Sequence, residues 1–317
     1  MSQYLLRRLL ESVPTFLGIT IVSFIIIHLV PGNVAQVFLG PKATPFLIAQ
    51  VNHELGLDKP LPVQYVIWLW QLLHGNLGNS YFQNESVWQL ILTNVPRTLA
   101  IVGISVVIAD AVAIVMGVYQ AYRRNSVLDH VLTSIAYFFY SMPGFWLSIV
   151  MIVVFSVDLN LFPSGGISNP LIANPGLGSW VAHITLPVFT LVLWNVAGWS
   201  RYMRAATTEA LIQDYVRTAR AKGLGEFVVL VRHALRNSLL PMITLFGFSL
   251  PALFSGALVV EVVFNYPGLG LLFYNAAIQR DYPVVLGGVV VIGTLTVLGN
   301  LLADVLYGVA DPRIQYR

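Results

Sequence analysis

The sequence predicts an all-α integral membrane protein with six transmembrane helices, and three observations predict it. Of the 317 residues, 57% are hydrophobic and 10% charged, with a mean hydropathy of +0.76. Soluble domains carry about a quarter charged residues, so this chain could not keep its surface wet. Apolar runs long enough to cross the hydrocarbon layer recur along the sequence. The 17 Lys and Arg residues gather in short loops between those runs, which points to membrane topology and not to nucleic acid. The absence of cysteine excludes disulfides and thiolate metal centres.

Helix one is expected at about Leu9 to Val30, behind Arg7 and Arg8. The run is too long for a signal-peptide core, and Pro31-Gly32 follows where a small-residue cleavage site would stand. Residues 1–30 therefore read as a cytoplasmic N-terminal segment and a retained first span. Glu11 falls in its first turn, and His28 at its far end reads as an interface residue.

Residues 31–96 read as a small extracytoplasmic helical region. Thr44-Pro45 followed by Gly56 fits an N-cap, a proline at the first helical position and a C-terminal glycine. Pro62 to His74, closed by Gly75, repeats that punctuation. Its apolar sequence, with Trp68 and Trp70, belongs in the interface or against another helix. Ser86 to Gln89 resembles a capping box.

Residues 97–317 form the core, with helices two to six. Helix two is expected from about Thr98 to Tyr122, ending at Arg123-Arg124. Ala109, Ala113 and Gly117 recur every four residues, a pattern that lets transmembrane helices approach closely. Asp110 near its middle cannot face lipid cheaply. It is either a carboxylate bonded between helices or part of a substrate path. Helix three, about His130 to Val157, is interrupted by Pro143-Gly144, which makes a kink or exposes carbonyls for binding. Residues 158–182 lack Lys and Arg and read as an outer loop. Helix four, about His183 to Tyr202, carries Trp194, Asn195 and Trp199. Helix five, about Leu240 to Val262, contains Pro251 and Ser255. The segment Phe264 to Pro283 is outer, and helix six, about Val284 to Tyr307, shows a stripe of Thr296, Asn300 and Asp304. Asp110, Trp194, Asn195, Trp199 and Ser255 are the substrate-path candidates, chosen for polarity at membrane depth.

The positive-inside rule orients the chain. With both termini in the cytoplasm, inner segments hold Arg7, Arg8, Arg123, Arg124, Arg313, Arg317 and all seven basic residues between Arg201 and Pro241. Lys42, Lys59, Arg97 and Arg280 remain outside.

The basic loop, residues 203–239, is the longest polar interruption. Thr207-Thr208 is expected to cap a helix running to Lys222, with Gly223 as its stop. Asp214 and Arg217 are i,i+3 neighbours on it. A second helix, Glu226 to Asn237, returns to the membrane. Taken by itself, this is either a compact docking projection or a solvated charged loop.

The loop resembles the cytoplasmic signature of binding-protein-dependent ABC importer permeases, EAA-x3-G-x9-I-x-LP. The matching positions are Arg217-Thr218-Ala219, Gly223 and Leu240-Pro241. Arg and Thr replace Glu and Ala, and the Gly-to-Pro spacing is five residues longer; both departures are similar to the peptide/nickel branch, as is the string DYVRTARAKGL at Asp214 to Leu224. The resemblance covers nearly the whole chain. It includes Tyr4 to Thr20, Leu55 to Tyr65, His74 to Ser80, Leu161 to Gly166, His233 to Pro241, Glu261 to Gly270 and the tail DPRIQYR. Asn33 and Asn76 stand where that branch often has Asp.

The resemblance implies a B-type permease with the type I permease fold of ABC importers, working in the bacterial or archaeal cytoplasmic (inner) membrane. It implies a heterodimer with a homologous second permease, two cytoplasmic ATPase subunits, and an extracytoplasmic substrate-binding protein. The coupling residues it implies are Asp214, Tyr215, Arg217, Ala219, Ala221, Gly223 and Leu224. Di- or oligopeptides are the expected cargo, with nickel complexes, glutathione or another small solute as alternatives. The chain itself is expected to be neither an enzyme nor a cofactor binder, with ATP and Mg used by the partners. No G-x4-G-K-[ST] phosphate loop occurs in it. An ion-coupled secondary transporter is the rival class, and would carry paired ionisable groups at an inverted repeat. A membrane-embedded hydrolase would need motifs such as HExxH or GxSxG, which are missing.

Overall fold

The computed structural model describes residues 2–29, 33–168, 176–239, 242 and 257–310. Four of the described helices are long and apolar enough to cross a membrane, and a bent pair makes a fifth. Most of the expected fifth helix, with Pro251 and Ser255, and the Leu240-Pro241 end of the loop signature lie outside the described residues.

The chain divides into two compact units, residues 1–97 with 268–298, and residues 98–267 with 299–317. In the first unit, α1 (Ser2–Leu29) leaves most of its apolar surface free for lipid; Val22, Ile26 and Leu29 are all more than half exposed. Short helices α2 (Val34–Leu39) and α3 (Pro45–Glu54) follow. The expected punctuation is present: the Thr44 hydroxyl accepts from the Leu47 amide at 3.3 Å, and Gly56 closes the helix at φ +68°. Helix α4 (Leu61–Leu73) lies along α1. Thr20, Phe24 and His28, four residues apart on one face of α1, meet it in turn. The Thr20 hydroxyl is 3.1 Å from that of Tyr65, Phe24 packs on Tyr65 and Trp68, and His28 Nε2 lies 3.2 Å from Gln64 Oε1. His28 thus joins two helices. Far along the sequence, Asp281 accepts from the Ser80 hydroxyl at 2.5 Å and from the Tyr81 amide at 3.1 Å.

The second unit holds the main core. Helix α5 (Val87–Tyr122) begins eleven residues before the expected start at Thr98, because Ser86 caps it (the Gln89 amide donates to Ser86 Oγ at 3.1 Å) and the helix continues through Pro96. The boundary between the two units falls within it. Helix α6 (Val127–Ser141) and α7 (Gly144–Met151), which continues as a π-helical turn to Asp158, replace the kinked third helix. They meet at 103°, far more than a proline kink, since Met142 and Pro143 are both extended. Helix α8 (Leu177–Leu211) is 35 residues long. It starts inside the expected outer loop and ends nine residues beyond Tyr202.

Small residues bring α5 and α8 together as their spacing implied. Ala109 and Ala113 are completely buried. A Cβ on Gly117 would stand 2.6 Å from Met203 Cβ and 2.8 Å from the Ser200 carbonyl oxygen. Two of the strings that carry the resemblance also meet here. The Gly166 amide donates to the Phe264 carbonyl at 2.9 Å, and a Cβ on Gly165 would fall 2.1 Å from that oxygen. The chain closes with helices Leu269–Gln279 and Tyr282–Ala310, so the expected outer segment from Phe264 contains a helix of eleven residues.

Candidate functional site: a helical hairpin beyond the long helix

The basic loop is a folded hairpin, smaller than the sequence suggested. Thr207 and Thr208 do not cap its first helix. Both belong to α8, with Thr207 completely buried and Thr208 donating to the Arg204 carbonyl at 2.7 Å. The helical stretch RAATTEAL carries α8 onward to Leu211. The first loop helix is α9 (Asp214–Ala221), whose N-cap Gln213 makes no side-chain capping bond and instead donates Nε2 back to the Glu209 carbonyl at 3.4 Å. Asp214 begins it, where a carboxylate favours the positive helix end.

Gly223 stops α9 as expected. At φ +78° it turns the chain so that the Gly223 amide donates to the Arg220 carbonyl at 2.9 Å and the Leu224 amide to the Ala219 carbonyl at 3.4 Å. That pair of bonds is a Schellman motif, which satisfies carbonyls the helix would leave open. The return limb is α10 (Glu226–Val228), a π-helical turn Val229–Ala234 and α11 (Leu235–Ser238).

A miniature core holds the limbs together. Val216 and Ala219 of α9 and Val229 of the return limb are all but fully buried, with Leu211 packed against them. Across the corner, Arg220 grips Glu226 with two bonds, Nη2 to Oε1 at 2.5 Å and Nε to Oε2 at 3.3 Å. Bidentate geometry of this kind gives direction as well as attraction. The expected Asp214–Arg217 pair is present at 3.7 Å but lies in solvent, where such pairs contribute little.

Of the seven coupling candidates, Ala219 faces this core. Asp214, Tyr215, Arg217, Ala221, Gly223 and Leu224 are exposed. Beside them stand exposed apolar side chains that the sequence reading passed over, Ile212 and Phe227, at 68% and 77% exposure. The arrangement is a stiff knuckle with a mixed apolar and charged outer face, suited to docking against another protein surface.

The substrate-path candidates are more dispersed. Trp199 lies in the main core of the second unit. Trp194, on the same helix, is 41% exposed. Asn195 is spent on its own helix, donating to the Leu191 carbonyl at 2.9 Å. Asp110 is partly buried on α5, and Ser255 lies outside the described residues.

Three buried carboxylates escaped the sequence reading: Asp129, Glu261 and Asp281, each no more than 2% exposed. Asp129 accepts from Arg204 Nη2 at 2.8 Å and from the Asn125 amide at 3.0 Å, and Glu261 accepts from the Thr98 hydroxyl at 2.6 Å. Local signals were thin. Ser126, which caps α6 by accepting from the Asp129 amide at 3.2 Å, was the one clue that Asp129 opens a helix.

With the geometry in place, comparison with known proteins gives consistent matches. Residues 113–316 match the family "Binding-protein-dependent transport system inner membrane component", and residues 1–102 match its companion N-terminal family. The chain is 41% identical over 317 residues to the oligopeptide transport system permease protein AppB of Bacillus subtilis, covering all of both chains. It is 39% identical over 338 residues to the dipeptide transport system permease protein DppB of Escherichia coli K12, again covering all of both. Among solved structures, the MetNI methionine ABC transporter in an inward-facing form has a chain similar over 70% of this one and 97% of its own, at TM-score 0.56 and 19% identity. A chain of an amino acid ABC transporter solved with histidines is similar over 69% and 93%, at TM-score 0.51 and 13% identity. At those identities the likeness is one of fold.

Proposed function

The chain belongs to the family of binding-protein-dependent transport system inner membrane components, and on that premise we propose that it forms half of a translocation path for di- or oligopeptides, moved through the hairpin that begins at Asp214. It is a multi-pass inner-membrane permease subunit of an ABC importer. In our reading both termini face the cytoplasm, a homologous permease completes the path, and two separate ATPase subunits grip the hairpins. A binding protein hands over the cargo from outside.

The observation that carries this reading is the construction of the hairpin. Its inner side is fastened by Val216, Ala219 and Val229 and by the Arg220–Glu226 grip, while its outer side is left open to a partner. A structure that passes on motion must move as one piece and needs no chemistry of its own. ATP closing the two ATPases would draw the hairpins together and open the path outward; hydrolysis would release it inward. The peptide cargo is supported by full-length relatives named as oligopeptide and dipeptide permeases.

The test is uptake into vesicles holding the complete transporter. ATP-driven import of a labelled dipeptide should persist when the proton gradient is collapsed and cease without ATP hydrolysis. Import by this chain alone, with no nucleotide hydrolysed, would refute the coupling. Competition by nickel complexes or glutathione but not by peptides would reassign the cargo and leave the coupling standing.

A further inference from the structure

A second polar site in the second unit is left unused by this function. A cleft of about 690 Å³ opens where α5, α6 and α8 end near the basic segments, a size typical of small-ligand sites. The Asp129–Arg204 pair lies beneath it. Arg204 commits Nη2 to Asp129, and its Nε is a buried donor without a partner. Gln120, 2% exposed, donates Nε2 to Thr133 Oγ1 at 3.0 Å, and its Oε1 is a buried acceptor without a partner. Both atoms are closed to solvent, so they lie behind the walls and leave the open cleft to the arginines and tyrosines that line it.

The charge is equally one-sided. Arg124, Arg201 and Arg204 line the cleft; Asp129 offsets Arg204, which leaves two cations against a single lining carboxylate, Glu209. Arg201 is fixed at the rim by the rings of Tyr137 and Tyr140, each centred 4.8 Å from its guanidinium carbon. Such stacking leaves the N–H edge of the guanidinium free to bind an oxyanion.

We propose that this cleft binds a phosphate group, borne by the headgroup of an anionic membrane lipid. The phosphate would sit between Arg124 and Arg201, the two lining arginines not committed to a buried carboxylate. The lipid source is favoured by position. The cleft lies at the end of a membrane-spanning helix, directly after Tyr122-Arg123-Arg124, and its lip is formed by the half-exposed rings of Tyr137 and Tyr140 and by Ile212. Basic pockets between helices at the cytoplasmic surface suit anionic headgroups, and tyrosines suit that depth. This rests on the cytoplasmic orientation proposed above.

The test uses the assembled transporter, stripped of lipid in detergent and titrated with phosphatidylglycerol in phosphatidylcholine micelles, with retained lipid counted by native mass spectrometry. The wild type should keep one phosphatidylglycerol per copy of this chain. The double variant Arg124→Gln, Arg201→Gln should weaken retention about thirtyfold, the loss of two surface cations. Glu209→Gln should strengthen it, which guards against a double variant that simply misfolds. Phosphatidylglycerol that stays bound in millimolar inorganic phosphate supports the lipid source; displacement by inorganic phosphate supports the same site with a soluble phosphate as occupant. Equal retention of both lipids by the wild type, or unchanged retention in the double variant, overturns the proposal. So does a double variant that loses import while keeping its lipid, because the arginines would then serve the cargo. Orientation is read separately. Val127→Cys, 82% exposed in the wild type and the lone cysteine in this chain, should react with an impermeant maleimide in inside-out vesicles. Reaction from the outside would sink the orientation without touching the retention measurement.

Discussion

Gly223 holds φ +78°, and a Cβ built there meets nothing within 4 Å. The demand is therefore on the backbone alone, and a side chain in the left-handed region costs about 1–2 kcal/mol. Gly223→Val should leave membrane insertion intact and lower ATP-driven uptake several-fold, because the Schellman corner opens; unchanged uptake would count against the hairpin as the coupling element. Asp129 and Arg204 pose the opposite case. Removing Arg204 leaves a carboxylate that is 2% exposed without its cation, which costs about 3 kcal/mol. Arg204→Ala should accordingly depress the midpoint of thermal unfolding more than Arg217→Ala, whose partner is fully in solvent. The two sites also show what could be read from the chain. A glycine after a basic helical run announces its own turn. Asp129 and Arg204 stand 75 positions apart, and nothing local in either segment names the other.

At the level of helices, the spacing of Ala109, Ala113 and Gly117 was legible because close approach demands small side chains at fixed intervals. Gly117→Ala should force α5 and α8 apart against the backbone at Ser200 and Arg204, a destabilisation of about 1–3 kcal/mol. Differential scanning of the solubilised complex would measure it; a shift no larger than that of Gly103→Ala, where the space is open, would contradict the packing. Helix ends were far less legible. Hydropathy stopped α8 at Tyr202, yet the helix runs on to Leu211 because Arg204 is anchored on Asp129 and Thr207 is buried. Likewise, the second span was expected to start at about Thr98, yet α5 begins at Val87 and passes through Pro96. At the end of α8 a tertiary contact decided the boundary, and at the start of α5 the cap on Ser86 did. The 103° break at Met142-Pro143 was visible as a breaker, but its size depends on what α6 and α7 pack against.

For the whole chain, composition alone established membrane insertion, and the positions of arginine suggested an orientation. The division into two units, which crosses the chain at residues 97/98, 267/268 and 298/299, had no common marker in the sequence. The cargo was not legible in residue chemistry at all, since the candidate wall residues are spread between a buried core position, an exposed face and segments outside the described residues. The length of α8 has one last consequence. From Val188, just past Pro187, to Leu211 it is an unbroken rod of roughly 36 Å at 1.5 Å per residue, so the bearing of the knuckle around the rod axis is fixed by a count of residues. One alanine inserted between Ala205 and Ala206 would turn the end of α8 and the outgoing limb of the hairpin by about 100°, out of register with the return limb that packs back on α8. Such a transporter should assemble its permeases, bind nucleotide on its ATPases, and fail to clasp one to the other.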